Sequence, residues 1–146
     1  MRVLLQRVKD ASVTVDEKLI SSIKKGYLLL VGIQEDDNTE KADYLARKIA
    51  KLRVFPDEDG KMNKSILEAN GEILAVSQFT LYGDITDGNR PSFTKAMEPV
   101  GAKKLFDYFV GALDRETGRK TLTGIFGAHM EVNLVNDGPV TIICER

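Results

Sequence analysis

The sequence predicts a mixed α/β fold, with antiparallel or mixed sheets carrying helices on one side. Strand-like runs outnumber helical ones by roughly four to one, most links between them are short, and regular strand–helix–strand alternation is absent. The missing alternation makes a doubly wound nucleotide-binding sheet a poor reading. At 146 residues the chain has the size of one domain, residues 1–146, and its 42% hydrophobic content is enough to fill a core.

The elements follow from local pattern. Val3 to Val15 alternates and is rich in Val, Leu and Thr, broken by Lys9-Asp10, which predicts two short strands joined by a turn. Leu19 to Lys24 suits a third strand. Gly26 to Ile33 is a continuous apolar run of strand length, the pattern of a central strand buried on both faces. Over Thr39 to Lys51, Ala42, Leu45, Ile49 and then Leu52 recur at three- and four-residue spacing, which predicts an amphipathic helix. Its other faces carry Lys41, Arg47, Lys48 and Lys51, either a solvated face or a phosphate-facing patch.

Arg53-Val54-Phe55 reads as a short strand ended by Pro56 and the turn signal Asp57-Glu58-Asp59-Gly60, followed by an irregular stretch to Gly71. Glu72 to Leu81 returns to strand character. A Gly/Asp/Asn-rich loop, Gly83 to Asn89, leads into Arg90-Pro91-Ser92-Phe93. Pro99 opens a second helix with the stripe Ala102, Leu105, Phe106, Phe109 and Leu113, and Gly118 is a suitable stop. Lys120 to Phe126, Met130 to Val135 and Val140 to Glu145 read as closing strands, the last two joined by a tight turn at Asn136-Asp137-Gly138-Pro139.

Charge and composition narrow the function classes. Lys and Arg total 21 against 22 Asp and Glu, a formal charge of −1, which disfavours a general polyanion binder but not a local basic patch. The single cysteine, Cys144, makes neither an internal disulfide nor a cysteine-based zinc site alone and fits a reducing cytoplasm. The apolar run at Gly26 to Ile33 is far short of the ~20 residues that span a bilayer, and the opening residues lack a signal-peptide core, so a soluble, unexported, cytoplasmic protein is expected, with no membrane partner.

Motifs for the commonest catalytic machinery are missing. One histidine means that any Ser-His-Asp arrangement must use His129, which reads instead as a strand residue near a turn. No metal-ligand spacing, calcium loop or Gly-x-x-x-x-Gly-Lys phosphate loop is present, so no metal or cofactor is expected. Two polar segments remain. Ser77-Gln78-Phe79-Thr80 places hydroxyl and amide groups at the end of an apolar strand, where backbone N–H groups leaving the ladder can face a developing oxyanion; alone it is also an ordinary edge strand. Asn136-Asp137-Gly138-Pro139 alone is a hairpin turn.

In combination these segments are more specific. Gln6-Arg7-Val8, Ala11-Ser12-Val13, Gly60-Lys61-Met62-Asn63, Ser77-Gln78-Phe79-Thr80-Leu81, Arg90-Pro91-Ser92-Phe93 and Asn136-Asp137-Gly138-Pro139-Val140-Thr141 follow one another across the full length. The chain closely resembles the bacterial D-aminoacyl-tRNA deacylases, to which Gly127-Ala128-His129-Met130 is also similar, although an aspartate often stands in that family at the position of His129.

The resemblance implies two packed β layers, barrel-like, with helices on one side, in a homodimer with active sites at the interface. It implies a Gly-cisPro pair, here Gly138-Pro139, inserted into the partner's pocket and braced by Arg7. Gln78 and Phe79 would turn backbone amides to the reacting ester, Ser77 would bind substrate, and Thr80 matches a hydroxyl once proposed as nucleophile. The implied activity is hydrolysis of D-aminoacyl-tRNA and glycyl-tRNA, with aminoacyl-tRNA as partner. Lys24, Lys25, Arg47, Lys51, Lys103 and Lys104 are candidate phosphate contacts. The competing readings are a non-catalytic tRNA- or peptide-binding module of the same fold and a hydrolase of another small ester or amide.

Overall fold

A long first strand organises the sheet. The computed structural model describes residues 1–146, and its β1 runs Arg2–Val15. Arg2 to Val8 pairs antiparallel with β3 (Gly26–Gly32), and Ala11 to Val15 pairs antiparallel with β2 (Lys18–Ile23). Along its other edge β1 pairs with β8 (Glu131–Glu145) over almost its whole length. β3 continues into β6 (Glu72–Ser77) and then β7 (Leu122–Thr123) through parallel pairings. The path β2-β1-β3-β6-β7 curls until β2 reaches β7, where the Ser21 hydroxyl donates to the Thr123 carbonyl at 2.9 Å. The result is a nearly closed, barrel-like sheet.

Side-chain alternation fills both faces of this sheet. Val3 and Leu5 of β1, Tyr27, Leu29 and Val31 of β3, and Ile73 and Ala75 of β6 join the larger core beneath the helices. Their neighbours in sequence, Val8, Ala11, Val13, Leu28, Leu74 and Val76, form a second core inside the curled sheet. Two buried faces account for the unbroken apolar run in β3, as the sequence predicts. Gly26 begins that strand because a Cβ there would lie 1.9 Å from the Glu72 carbonyl oxygen.

The helices cover one face. Helix α1, Thr39–Lys51, has the predicted bounds, and the Asn38 side chain caps it by accepting from the Lys41 amide at 3.1 Å. Helix α2, Pro99–Thr117, begins at the predicted proline; Glu98 accepts from the Val100 and Gly101 amides, and Gly118 ends the helix with φ 65°. Leu45 and Ile49 of α1 and Phe106, Phe109 and Leu113 of α2 are buried against the sheet. No helix is long and apolar enough to cross a membrane.

Several local expectations need correction. Lys9-Asp10 is not a turn: both residues lie exposed within β1, which pairs with β8 on either side of a register irregularity between Val8 and Asp10. The expected strand at Arg53-Val54-Phe55 is the two-residue β4, Phe55–Pro56, and the stretch expected to be irregular contributes its antiparallel partner β5, Met62–Lys64. β6 stops at Ser77 and the chain coils into a 3₁₀ turn over Phe79–Tyr82. Only Leu122–Thr123 of the expected strand from Lys120 is paired. The largest difference is that no hairpin exists at Asn136–Pro139. The two expected closing strands are one, β8, and the segment is an excursion within it: β1 advances from Gln6 to Val8 while β8 passes from Thr141 to Asn136.

Candidate active site

At the carboxyl ends of β3 and β6 lies a cavity of about 260 Å³. Val31 and Ile33 form one wall, Val76, Ser77, Gln78 and Phe79 another, and Met97 and Ala102 approach from the start of α2. The segment Phe126–Met130 and Val132 complete it. His129 is the one ionisable side chain in this lining; it sits on the loop preceding β8, exposed, and not in a strand as expected. Met97, Phe126 and Met130 carry no periodic signal that would have placed them here.

The polar end of the cavity is set by how β6 terminates. The Gln78 amide donates to the Val31 carbonyl at 2.8 Å, extending the parallel ladder by one residue. Phe79 and Thr80 then begin the 3₁₀ turn, and their amides have no acceptor within the chain, as for the first donors of any helical turn. The Gln78 amide is therefore committed to the fold, and the amides that follow it are free. Thr80 does not line the cavity; its hydroxyl accepts from the Gln78 side-chain amide and has no base beside it. Phe79 is 57% exposed and meets Phe93 edge-to-face with ring centroids 5.0 Å apart. Gly32 makes room for the turn, since a Cβ there would be 3.2 Å from the Gln78 carbonyl oxygen.

Behind the turn, Tyr82 is nearly buried, and Arg2 lies over its ring at 5.1 Å. Burial, the largest influence, raises its phenol to about 12. The Arg2 guanidinium also donates to the Leu81 carbonyl at 2.6 Å, tying the end of the turn to β1.

The β8 excursion is built separately. Arg7, 8% exposed, donates from Nε to the Asp137 carbonyl at 3.1 Å and lies 3.1 Å from the Asp137 carboxylate; another guanidinium nitrogen donates to the Val54 carbonyl. Asn136 accepts from the Val140 amide at 3.1 Å and closes the excursion from the other side. The Gly138-Pro139 bond is cis, and Gly138 has φ 131°, a region that only glycine adopts easily. Both residues are exposed, and neither lines the cavity of their own chain. One chain thus brings Ser77, Gln78 and Phe79 together, leaves Thr80 just outside, and holds Arg7 with Gly138 and Pro139 as a second unit.

The candidate phosphate contacts scatter. Lys103 pairs with Asp107 at 2.6 Å and Arg47 with Glu116 at 3.6 Å. Lys51 lines an open groove with Tyr44, Lys48 and Arg53, and Lys104 is exposed on α2. Lys24 and Lys25 line a different cavity at the opposite end of the parallel strands.

The family described as D-Tyr-tRNA(Tyr) deacylase matches residues 4–145. A D-aminoacyl-tRNA deacylase of Thermomicrobium roseum is 58% identical over 142 residues, covering 97% of this chain and 92% of that protein. One of Thermotoga petrophila is 54% identical over 145 residues, covering 99% and 97%. Among solved structures, one described as a c-Myc DNA unwinding element binding protein has a TM-score of 0.93 at 42% identity and covers 100% of this chain and 99% of its own.

Proposed function

The chain belongs to the D-Tyr-tRNA(Tyr) deacylase family, and on that premise we propose that it hydrolyses the ester joining a D-amino acid to the terminal ribose of tRNA. The products are the free D-amino acid and tRNA. The observation that carries this reading is the pair of unclaimed amides, on Phe79 and Thr80, at the rim of a mostly apolar cavity.

The chemistry suits this sparse site. An aminoacyl ester is already activated, so the main requirement is to stabilise negative charge as water adds to its carbonyl carbon. Water forms the new C–O bond, the carbonyl electron pair moves onto oxygen, and the Phe79 amide, joined by that of Thr80, donates to the oxyanion. Collapse of this intermediate breaks the bond to the ribose oxygen. That oxygen takes up the proton that water gives up, relayed by the neighbouring ribose hydroxyl. Removing one such donor typically costs about 3 kcal/mol of barrier in enzymes that use them. Ser77 lies at the polar end as a substrate contact. Thr80 serves as a positioning hydroxyl held by Gln78, because a threonine without a base is a weak nucleophile.

Gly138 and Pro139 act on the partner's cavity in a C2 homodimer. Support comes from their exposure outside their own chain's cavity and from β8 itself, a 15-residue edge strand with no buried residue and with Val135 and Ile143 exposed at 47% and 62%. A carbonyl oxygen set close to the substrate Cα admits hydrogen there and rejects anything larger. L-aminoacyl esters are thus excluded by sterics, while glycyl-tRNA, with two hydrogens, passes. A cytoplasmic location follows from this reading, since aminoacyl-tRNA is made there.

The test is a paired assay of D- and L-tyrosyl-tRNA, with sedimentation at micromolar concentration. Release of D-tyrosine alone by a dimer is expected; equal release from both substrates, or a monomer with full activity, overturns the reading. A non-catalytic binding module of the same fold predicts no release at all and leaves the unclaimed amides without a use.

A further inference from the structure

A second cavity, about 380 Å³ in volume, lies at the amino ends of β3, β6 and β7. The catalytic candidates sit at the carboxyl ends of the same strands. Glu72 to Ser77 spans β6, so at roughly 3.3 Å per residue the two cavities are about 17 Å apart. They are separate sites on one rigid block of sheet.

The walls of this cavity are basic. Lys24 and Lys25 precede β3, and Arg119 and Lys120 precede β7. None of these cations forms an ion pair, although the chain contains other ion pairs on α1, α2 and the loops. Four unpaired cations around one concavity, in a chain of net charge −1, are a local concentration that overall composition conceals. The one carboxylate in the wall, Glu72, accepts from the Lys24 backbone amide at 2.7 Å and is held at the rim.

The fixed polar groups point to an anion. Arg119 donates to the Gly71 carbonyl at 3.2 Å and to the Asn70 side chain, which positions its guanidinium and leaves N–H donors over. Lys25 is steadied over the Phe55 ring at 5.4 Å. Thr121 is 4% exposed, and its hydroxyl is the one buried side-chain polar atom in the protein without a hydrogen-bond partner. Its amide is held by Asp114 at 2.7 Å, so the backbone is fixed and only the hydroxyl rotor is free. Buried polar groups in native proteins are normally met by a protein partner, water, an ion or a ligand, and no protein partner meets this one.

We propose that this cavity is a phosphate-binding site in which Lys24, Lys120 and Arg119 supply charge and Thr121 a hydrogen bond. The phosphate is either a backbone phosphate of the RNA whose terminal ester occupies the catalytic cavity, an arm that rests on the functional reading above, or that of a free phosphorylated small molecule.

The experiment titrates inorganic phosphate into the wild-type protein, Thr121→Val, and a Lys24→Ala/Lys120→Ala variant at constant ionic strength. Saturable binding to wild type is expected, weakened about tenfold in each variant. Thr121→Val should melt no lower than wild type, because its hydroxyl bonds to nothing in the chain. The same proteins are then assayed on D-tyrosyl-tRNA and on D-tyrosyl-adenosine, which lacks backbone phosphates. A raised KM confined to the tRNA substrate assigns the site to RNA; phosphate binding lost with KM unmoved assigns it to a small molecule. Absence of saturable phosphate binding, or equal binding by all three proteins, overturns the proposal. If wild type hydrolyses neither ester, the functional reading fails, while the phosphate titration still decides this one.

Discussion

Alanine at position 138 separates fold from function in the β8 excursion. Gly138 has φ 131°, and an alanine there takes on backbone strain of about 1–3 kcal/mol. Its Cβ would also lie 2.8 Å from Val140 Cγ2, 2.9 Å from the Val140 amide nitrogen and 3.2 Å from Arg7 Nη2. The methyl can rotate away, but the amide already donates to Asn136 at 3.1 Å, so relief must displace the excursion itself. Overpacking of this kind costs about 1–3 kcal/mol, and because one displacement relieves both strains the total should be about 2–4 kcal/mol. A domain of typical stability survives that loss, which allows activity to be measured on folded protein. If this backbone faces substrate as proposed, displacing it by about 1 Å should cost around a hundredfold in kcat/KM. Urea denaturation and single-turnover hydrolysis of D- and L-tyrosyl-tRNA read both effects. Gly60→Ala is the control: its φ is 78°, but nothing lies within 4 Å of the added Cβ, so it should lose about 1 kcal/mol and no activity. Full activity and unchanged D/L selectivity in a destabilised Gly138→Ala protein would refute the role assigned to this residue.

Arg7→Met should destabilise by about 3 kcal/mol, because it strips the Val54 and Asp137 carbonyls of a buried charged donor, and should lower kcat/KM without changing the fold seen by circular dichroism. Thr80→Ala should keep activity within about tenfold of wild type, since no base activates the hydroxyl; a trapped acyl ester on Thr80 would show otherwise. Burial raises the Tyr82 phenol from 10.0 to about 12, so folding favours its neutral form. That stability is fully present below pH 10 and is lost as pH rises through 12, so alkaline unfolding should accompany tyrosinate absorbance, and Tyr82→Phe should delay it.

Much of this architecture is legible in the residues, and the failures share a cause. Asn38, Pro99 and Gly118 act through their own backbone and nearest neighbours, so the helix ends fall where the sequence predicts them. The two-sided burial of β3 is visible because an apolar run leaves no solvent face. Lys9-Asp10 and Asn136–Pro139 read as turns because their local chemistry is that of turns. What sets both regions is the pairing of β1 with β8 on either side of them, between residues more than a hundred positions apart. The same limit applies to the site. Ser77 to Thr80 stands out as polar residues after an apolar strand, but the split between one committed amide and free ones depends on the Val31 carbonyl in a neighbouring strand. That His129 lines the cavity while Thr80 stays outside it depends on how a loop folds back.

Burial on both faces of β3 and β6 also bears on how a site with so few reactive groups can be selective. A side chain that reads chirality must hold one rotamer against solvent, whereas backbone groups at the end of a doubly buried strand have almost no freedom to lose. The Val31–Gln78 bond fixes the direction in which the next amides point, and the Arg7 clamp does the same for the Asp137-Gly138 backbone. Each is main chain held by the fold, so neither depends on the side chain of the amino acid being tested. Only the groups around the substrate Cα distinguish one hand from the other. On the proposed reading, a filter built from backbone at both ends would discriminate by the room it leaves for one hydrogen and stay indifferent to the identity of the D-residue. Such indifference would also suit the largely apolar cavity, in whose walls the exposed His129 is the one ionisable side chain.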